Sequence, residues 1–241
     1  LVESLVERVD AVVVHSDEQA RLATTLGAHH VRRLDLPPHL PGGDPEPRVA
    51  NGADTASTPV RVLALGIVRD YKGVDLLVDA VRDVPGIHLT IAGELWGDAG
   101  RTVRDLANDP RVAGRVELHP GYVPADRIAG LLAQHDVMAL TYRTATASQN
   151  VLLAHKHGLP VLATTVGTFP EQIRDGVDGL LVPPGDRGAL VEALRRLAEP
   201  GVTEALRSAV RPPDLSGPWA NYVGGIEALA AYLVNEIQEV Y

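Results

Sequence analysis

Cysteine is absent from the 241 residues, which excludes disulfide bonds, thiolate zinc sites and cysteine nucleophiles. That absence is compatible with a reducing cytoplasm, and a cytoplasmic location is the expectation. Lysine is almost absent: Lys72 and Lys156 are the only two, and arginine carries the remaining basic charge. With 22 Lys and Arg against 31 Asp and Glu the formal charge is −9. Such a balance argues against broad nucleic-acid binding, because phosphate backbones are held by clustered cations. No run reaches the roughly 18 consecutive apolar residues of a spanning helix, and the first eight residues lack a secretory signal pattern, so a soluble protein is expected. An initiator Met is missing too, which suggests that the numbered chain is not a natural N-terminus. No Walker loop occurs, and no Gly-x-Gly-x-x-Gly follows the first strand, which weakens a nicotinamide-dependent reading. His155 and His157 stand two apart on a predicted helix, about 200° around it, and His29 and His30 are adjacent, so no metal site is expected.

What is present is ordinary for a globular chain: 45% apolar and 22% charged residues, enough for one large or two modest domains. Residues 1–8 read as the end of a helix, 11–15 as a buried strand, and Ser16 as the cap of a helix with Gln19 as capping-box partner. That helix ends at Gly27, and 31–36 is a further strand. Five prolines and three glycines then fill 37–58 without an apolar period, the pattern of a linker or mobile loop. From residue 60 strands alternate with helices of about ten residues: strands at 61–65, 87–92, 112–118, 137–140, 161–164 and 180–182. Helices are predicted at 74–81, 98–107, 125–133, from about Ser148, at 170–174 and at 186–197. This alternation predicts an α/β fold with a doubly wound parallel sheet. Pro212, Pro213 and Pro218 interrupt the chain before an amphipathic helix at 219–239, with Tyr222, Val223, Ile226, Leu229, Leu233 and Ile237 on one stripe.

In open parallel sheets ligands bind beyond the carboxyl ends of the strands. The loop Gly-Ile-Val-Arg-Asp-Tyr-Lys-Gly (66–73) places Arg69 and Lys72 where two cations can clamp a diphosphate, with Gly66 and Gly73 permitting the turn. Read alone, such a pair is more often solvated surface charge than a clamp. The polar loop Thr-Tyr-Arg-Thr-Ala-Thr-Ala-Ser-Gln-Asn (141–150) precedes a helix, where unpaired amides suit a phosphate, although a Ser or Asn there is commonly only a cap. The loop 119–124 carries Tyr122 either over a nucleobase or packed beneath itself. Glu171 starts a short helix or faces the donor.

Six stretches in order resemble the C-terminal, donor-binding half of family 4 glycosyltransferases of the GT-B fold: Gly-x-x-Arg-x-Tyr-Lys-Gly-Val-Asp-Leu-Leu (66–77), Ile-Ala-Gly-Glu (91–94), Gly-Tyr-Val-Pro (121–124), Gly-Leu-Pro-Val-Leu-Ala-Thr (158–164), Val-Gly-Thr-Phe-Pro-Glu (166–171) and Gly-Leu-Leu-Val-Pro-Pro-Gly-Asp (179–186). By that resemblance 60–210 is a nucleotide-sugar-binding Rossmann-like domain, 1–36 a remnant of an otherwise missing N-terminal acceptor-binding domain, 37–59 a linker, and 219–241 a crossover helix. The resemblance implies a retaining transfer of a sugar from a UDP- or GDP-linked donor to an unknown acceptor, without a bound metal or other cofactor. Arg69 and Lys72 become the catalytic candidates, neutralising the leaving diphosphate. Gly66, Glu94, Tyr122, Val123, Thr146, Ser148, Gln149, Asn150 and Glu171 become the donor-binding candidates. Many members carry two glutamates eight positions apart, for which this sequence has Ala145 and Leu153, a departure that puts ribose recognition by a glutamate in doubt. A non-catalytic nucleotide-sugar-binding or partner-binding module is the alternative, and membrane attachment through the missing domain stays open.

Overall fold

A computed structural model describes residues 5, 6, 8–49, 58–145 and 148–239, the last four without their side chains. In chain order its elements are β1 (Val12–Val14), α1 (Asp17–Thr25), β2 (Val31–Arg33), β3 (Val60–Leu65), α2 (Val74–Val81), β4 (Ile87–Gly93), α3 (Gly97–Ala107), β5 (Val116–Pro120), α4 (Ala125–Ala133), β6 (Val137–Leu140), α5 (Asn150–Lys156), β7 (Val161–Thr164), α6 (Phe169–Gln172), β8 (Gly179–Val182), α7 (Arg187–Leu197), α8 (Val202–Ala209) and α9 (Ser216–Glu239). The chain divides into two compact units, Leu1–His39 with Asp214–Tyr241, and Leu40–Pro213.

In the smaller unit β1 and β2 pair in parallel over three residues each. Ser16 caps α1 by accepting from the Gln19 amide at 3.1 Å, and Gln19 Oε1 accepts in turn from the His15 amide at 2.8 Å. The strand expected to run to 36 stops at Arg33. Helix α9 starts at Ser216 and not at 219. Pro218 does not interrupt it, because a first-turn residue has no intrahelical amide bond to lose, and the Asp214 carboxylate accepts from the Ser216 and Gly217 amides instead. Of its apolar stripe, Tyr222, Leu229 and Leu233 are half-buried while Val223 and Ile226 are exposed. Gly225 lets the helix backbone meet Leu34: a Cβ there would lie 2.4 Å from Leu34 Cδ2.

The larger unit holds a six-stranded, all-parallel sheet in the order β5-β4-β3-β6-β7-β8. Every residue of β6 and β7 is buried, as continuous apolar strands covered on both faces must be. One apolar cluster joins α2, α3 and α7 to the sheet, and a second joins α4, α5 and Phe169 of α6. Helices 74–81 and 125–133 and strand 161–164 fall where the periodicity predicts them. The strand expected at 112–118 is displaced to Val116–Pro120, because Pro110–Val112 forms a tight turn capped by Asp109. Helix α8 is not among the predicted helices, although Val202, Ala205, Leu206 and Ala209 stand at i, i+3, i+4 and i+7; only Leu206 is buried, and eight residues between Gly201 and Pro212 make a short stripe.

The stretch expected to be a linker departs from that expectation over residues 40–49, which lie along the larger unit. The Val49 amide donates to the Ala133 carbonyl at 3.0 Å, Arg61 Nη2 to the Val49 carbonyl at 3.0 Å, and Arg48 Nη2 to Asp136 at 2.9 Å. A proline-rich segment without apolar period can still be held by its backbone and by one long charged side chain, neither of which shows in hydropathy.

Candidate functional site

The strand order reverses between β3 and β6, so the loops leaving these two strands diverge and open a crevice. The first loop, 66–73, ends in a tight turn, Asp70–Lys72, and in Gly73 with φ of 60°, which leads into α2. A Cβ on Gly73 would sit 2.1 Å from the Thr141 carbonyl oxygen, so here only glycine provides both the backbone conformation and the close approach. Gly73→Ala is therefore expected to cost about 1–3 kcal/mol of stability from backbone strain alone and to displace Lys72. Thermal unfolding together with a nucleotide titration checks both.

The second loop is stitched to the first. The Thr141 hydroxyl reaches the carbonyls of Lys72 and Gly73 at 3.2 and 3.1 Å, and the Arg143 amide donates to the Tyr71 carbonyl at 2.6 Å. The Arg143 guanidinium forks onto Asp75 at 3.0 and 2.6 Å and also donates to the Asp70 carbonyl. Arg143 thereby spends its donors on protein groups and holds the loop that carries Lys72. Sequence reasoning passed over Arg143, Asp75 and Thr141, although the Arg143 stretch stood at the centre of the motif.

Between the loops lies a cavity of about 470 Å³ lined by Tyr71, Lys72, Tyr142, Thr144, Ala145, Ser148 and Asn150. That is within the roughly 300–1,000 Å³ of small-molecule sites. Tyr142 is its buried wall, packed edge-on between Phe169 at 5.3 Å and Tyr71 at 5.7 Å. Burial pushes the Tyr142 phenol up, and its hydroxyl accepts from Asn150 Nδ2 at 3.4 Å. Lys72 Nζ stands 5.5 Å from the Tyr142 ring centre and above Gly66, where a Cβ would be 3.1 Å away. Arg69 stacks on Trp96 at 4.5 Å. Among the described residues neither Arg69 nor Lys72 has a carboxylate partner, whereas neighbouring Arg143 is paired with Asp75. Burial, and then repulsion from Arg69, push the Lys72 ammonium below the usual lysine range.

Glu94 is half-buried and accepts from the Trp96 indole at 2.6 Å. Tyr122 is 77% exposed, which removes the reading that it packs beneath its loop, while the Val123 side chain packs against the second apolar cluster. Ser148 and Asn150 line the cavity, and the Ser148 hydroxyl accepts from the Asn150 amide at 3.4 Å, the role of a local cap. Helix α5 begins at Asn150 and not at Ser148, with half-buried Gln149 just before it. Glu171 is exposed in the first turn of α6 and does not line the cavity. Thr146 lies outside the described residues. Ala145 lines the cavity, and Leu153 is buried in the apolar cluster, so neither side chain offers an acceptor. No group of three His, Asp or Glu side chains among the described residues is placed to hold a metal.

A larger cavity, about 680 Å³, lies against β4 and β5. Its cations are spent: Arg61 is bound to Asp136, and Arg115 donates to the carbonyls of Val81, Val84 and Arg111. Volume therefore favours this cavity and available charge favours the smaller one. For an anionic ligand the charge decides.

The family of Glycosyl transferases group 1 matches residues 59–200, the whole of the parallel sheet and both crevice loops. The chain belongs to this family. It is 28% identical over 207 residues to the D-inositol 3-phosphate glycosyltransferase of Mycobacterium tuberculosis H37Rv, a match covering 81% of this chain and 42% of that protein. The chain thus spans less than half the length of the curated relatives it matches. Its fold is that of GT-B glycosyltransferases. Sucrose-phosphate synthase from Thermosynechococcus elongatus superposes with a TM-score of 0.71 at 23% identity, over 100% of this chain and 61% of the other. HepE from Anabaena, solved in complex with UDP and glucose, superposes with a TM-score of 0.66 at 17% identity, over 96% and 65%. Among the described residues no helix is long and apolar enough to cross a membrane.

Proposed function

We propose that this family member supplies the donor-binding part of a retaining glycosyltransferase, holding the diphosphate of a UDP- or GDP-sugar in the crevice between β3 and β6. The observation that carries the reading is the pair Arg69 and Lys72, two neighbouring cations without carboxylate partners among the described residues, at the point where the sheet reverses. Two neighbouring positive charges repel, and a fold that tolerates them unpaired gains the most when a dianion arrives. As the bond between sugar and diphosphate breaks, negative charge grows on the leaving oxygen, and fixed cations lower that barrier more than they stabilise the ground state. In this reading Arg69 and Lys72 supply the neutralising charge with no metal between protein and phosphate. Ser148, Gln149 and Asn150 approach from the opposite loop, and Tyr122 lies beside the base. The acceptor comes to a domain that this chain does not include.

Titrating the chain calorimetrically with UDP, GDP and NAD tests the reading: one nucleoside diphosphate binds, NAD does not, and a chelator leaves the affinity unchanged. Binding is also expected to depend on pH through Lys72. Its lowered ammonium pKa in the empty site means that the proton is held below that pKa and lost above it, and a bound diphosphate raises the pKa again. Through Lys72, affinity therefore falls on the alkaline side by up to about tenfold per pH unit between the free-site pKa and the raised pKa of the bound state, and proton uptake accompanies binding there. Titrations in buffers of different ionisation enthalpy measure that uptake.

A second reading, a non-catalytic nucleotide-sugar-binding or partner-binding module, is favoured by Ala145 and by the buried Leu153, which leave the crevice without the paired carboxylates of many family members. Sugar transfer by the full-length protein, lost on Arg69→Ala with Lys72→Ala, rules it out.

A further inference from the structure

Trp96 stands at the start of α3, and its exposed indole is covered on one face by the Arg69 guanidinium, 4.5 Å from the ring centre. The backbone fixes this meeting. The Val68 amide donates to the Glu94 carbonyl at 2.8 Å, the Trp96 amide donates to the Val68 carbonyl at 3.3 Å, and Val68 bridges Leu95, so residues 68–69 run alongside 94–96. The ring is fixed as well, since its Nε1–H donates to Glu94 Oε2 at 2.6 Å. A guanidinium lying over an aromatic ring is held without a carboxylate, and among the described residues the Arg69 side chain makes no hydrogen bond or ion pair, so its N–H donors remain unspent. A carboxylate partner would hold it as well but would use those donors, as Asp75 does with Arg143. The stack also holds Arg69 near Lys72, whose ammonium is pushed below the usual range first by burial and then by Arg69.

We infer that Trp96 is a positioning residue for diphosphate recognition: it presents Arg69 beside Lys72 with its hydrogen-bond donors free for the ligand, and Glu94 acts by orienting Trp96. This rests on the donor reading above and adds that the loop after β4 governs the phosphate clamp. It also moves Glu94 from direct contact with the donor to an indirect task. The specificity expected of such a device is for the second phosphate, since a monophosphate is already served by Lys72.

The test titrates the native chain, Trp96→Ala, Trp96→Phe and Glu94→Ala with the nucleoside diphosphate that the native chain binds, and with its monophosphate. Trp96→Ala is expected to weaken the diphosphate about tenfold, Trp96→Phe to restore it to within about threefold, and the monophosphate to move little in either. Glu94→Ala falls between. In a Trp219→Phe background, which leaves Trp96 as the single indole, Arg69→Ala changes the emission of the ligand-free chain. Folded Trp96→Ala that binds the diphosphate like the native chain overturns the inference, as does an equal loss for mono- and diphosphate, the mark of a collapsed loop, or an emission indifferent to Arg69. A native chain that binds no nucleoside diphosphate overturns the donor reading and this one with it.

Discussion

Alanine at both Arg69 and Lys72 is expected to remove nucleoside-diphosphate binding, with a loss of about 2 kcal/mol or more, roughly thirtyfold in Kd. Among the described residues the two side chains form no ion pair with each other or with a carboxylate, so their removal strands no described carboxylate and folding is expected to be intact. Loss of repulsion even favours the folded state slightly. The effect on the ligand is large for the opposite reason: a charge-assisted hydrogen bond contributes about 1.5–3 kcal/mol, and two of them acting on one dianion are lost together. Calorimetry on the double variant beside Arg143→Ala separates the causes. Arg143 carries the same charge at the same crevice, but its donors are bound to Asp75 and the Asp70 carbonyl, so its loss loosens the loops and lowers the melting temperature as well as the affinity. A double variant with native affinity would mean that the diphosphate binds elsewhere.

Asp136→Ala is expected to be strongly destabilising, at about 3–5 kcal/mol. The Asp136 carboxylate is almost fully buried at the amino end of β6 and gathers three arginines: Arg61 through Nε at 3.2 Å and Nη2 at 3.1 Å, Arg48 at 2.9 Å, and Arg207 at 3.8 Å. It also accepts from the Arg61 amide at 2.9 Å. Removing it leaves partly buried guanidinium groups facing one another, with exposed Glu204 as the remaining carboxylate partner among the described residues. Glu204→Ala, by contrast, breaks an exposed contact and is expected to cost under about 1 kcal/mol. Urea unfolding of both variants measures the difference, and the folded fraction of Asp136→Ala keeps its nucleotide affinity because the cluster lies at the end of the strand opposite the crevice. The cluster also sets an acid limit. Burial pushes the Asp136 carboxyl up, but the bonds from Arg61 and Arg48 outweigh burial and hold it below the ordinary aspartate value. A depressed carboxylate contributes stability that is present above its unfolded pKa and is lost as the pH falls through its folded pKa, so acid unfolding is expected to shift toward neutral pH in Arg48→Ala.

The sequence by itself determined the fold class, the order of the strands of the parallel sheet and of every helix but α8, and the two loops that leave β3 and β6. These are local properties: continuous apolar runs such as 137–140 and 161–164, the helical stripe of 74–81, and glycines at the turns are each written within a few neighbouring residues. The candidates Arg69 and Lys72 were legible in the same way, as the cations of one short loop after a strand. Only the tertiary structure decided which cations are available. Arg143 stands 68 residues from Asp75, and that pairing makes it a brace, while Arg69, equally charged, meets an indole 27 positions away and keeps its donors. Tyr142 and Leu153 were drawn into the core by packing against Phe169 and its neighbours, and residues 40–49 were held by backbone bonds to Ala133 and Arg61 that leave no trace in composition. Charge can be counted along a chain, but whether a charge is spent depends on what the fold brings within about 3 Å of it, and that is set by the packing of the whole sheet.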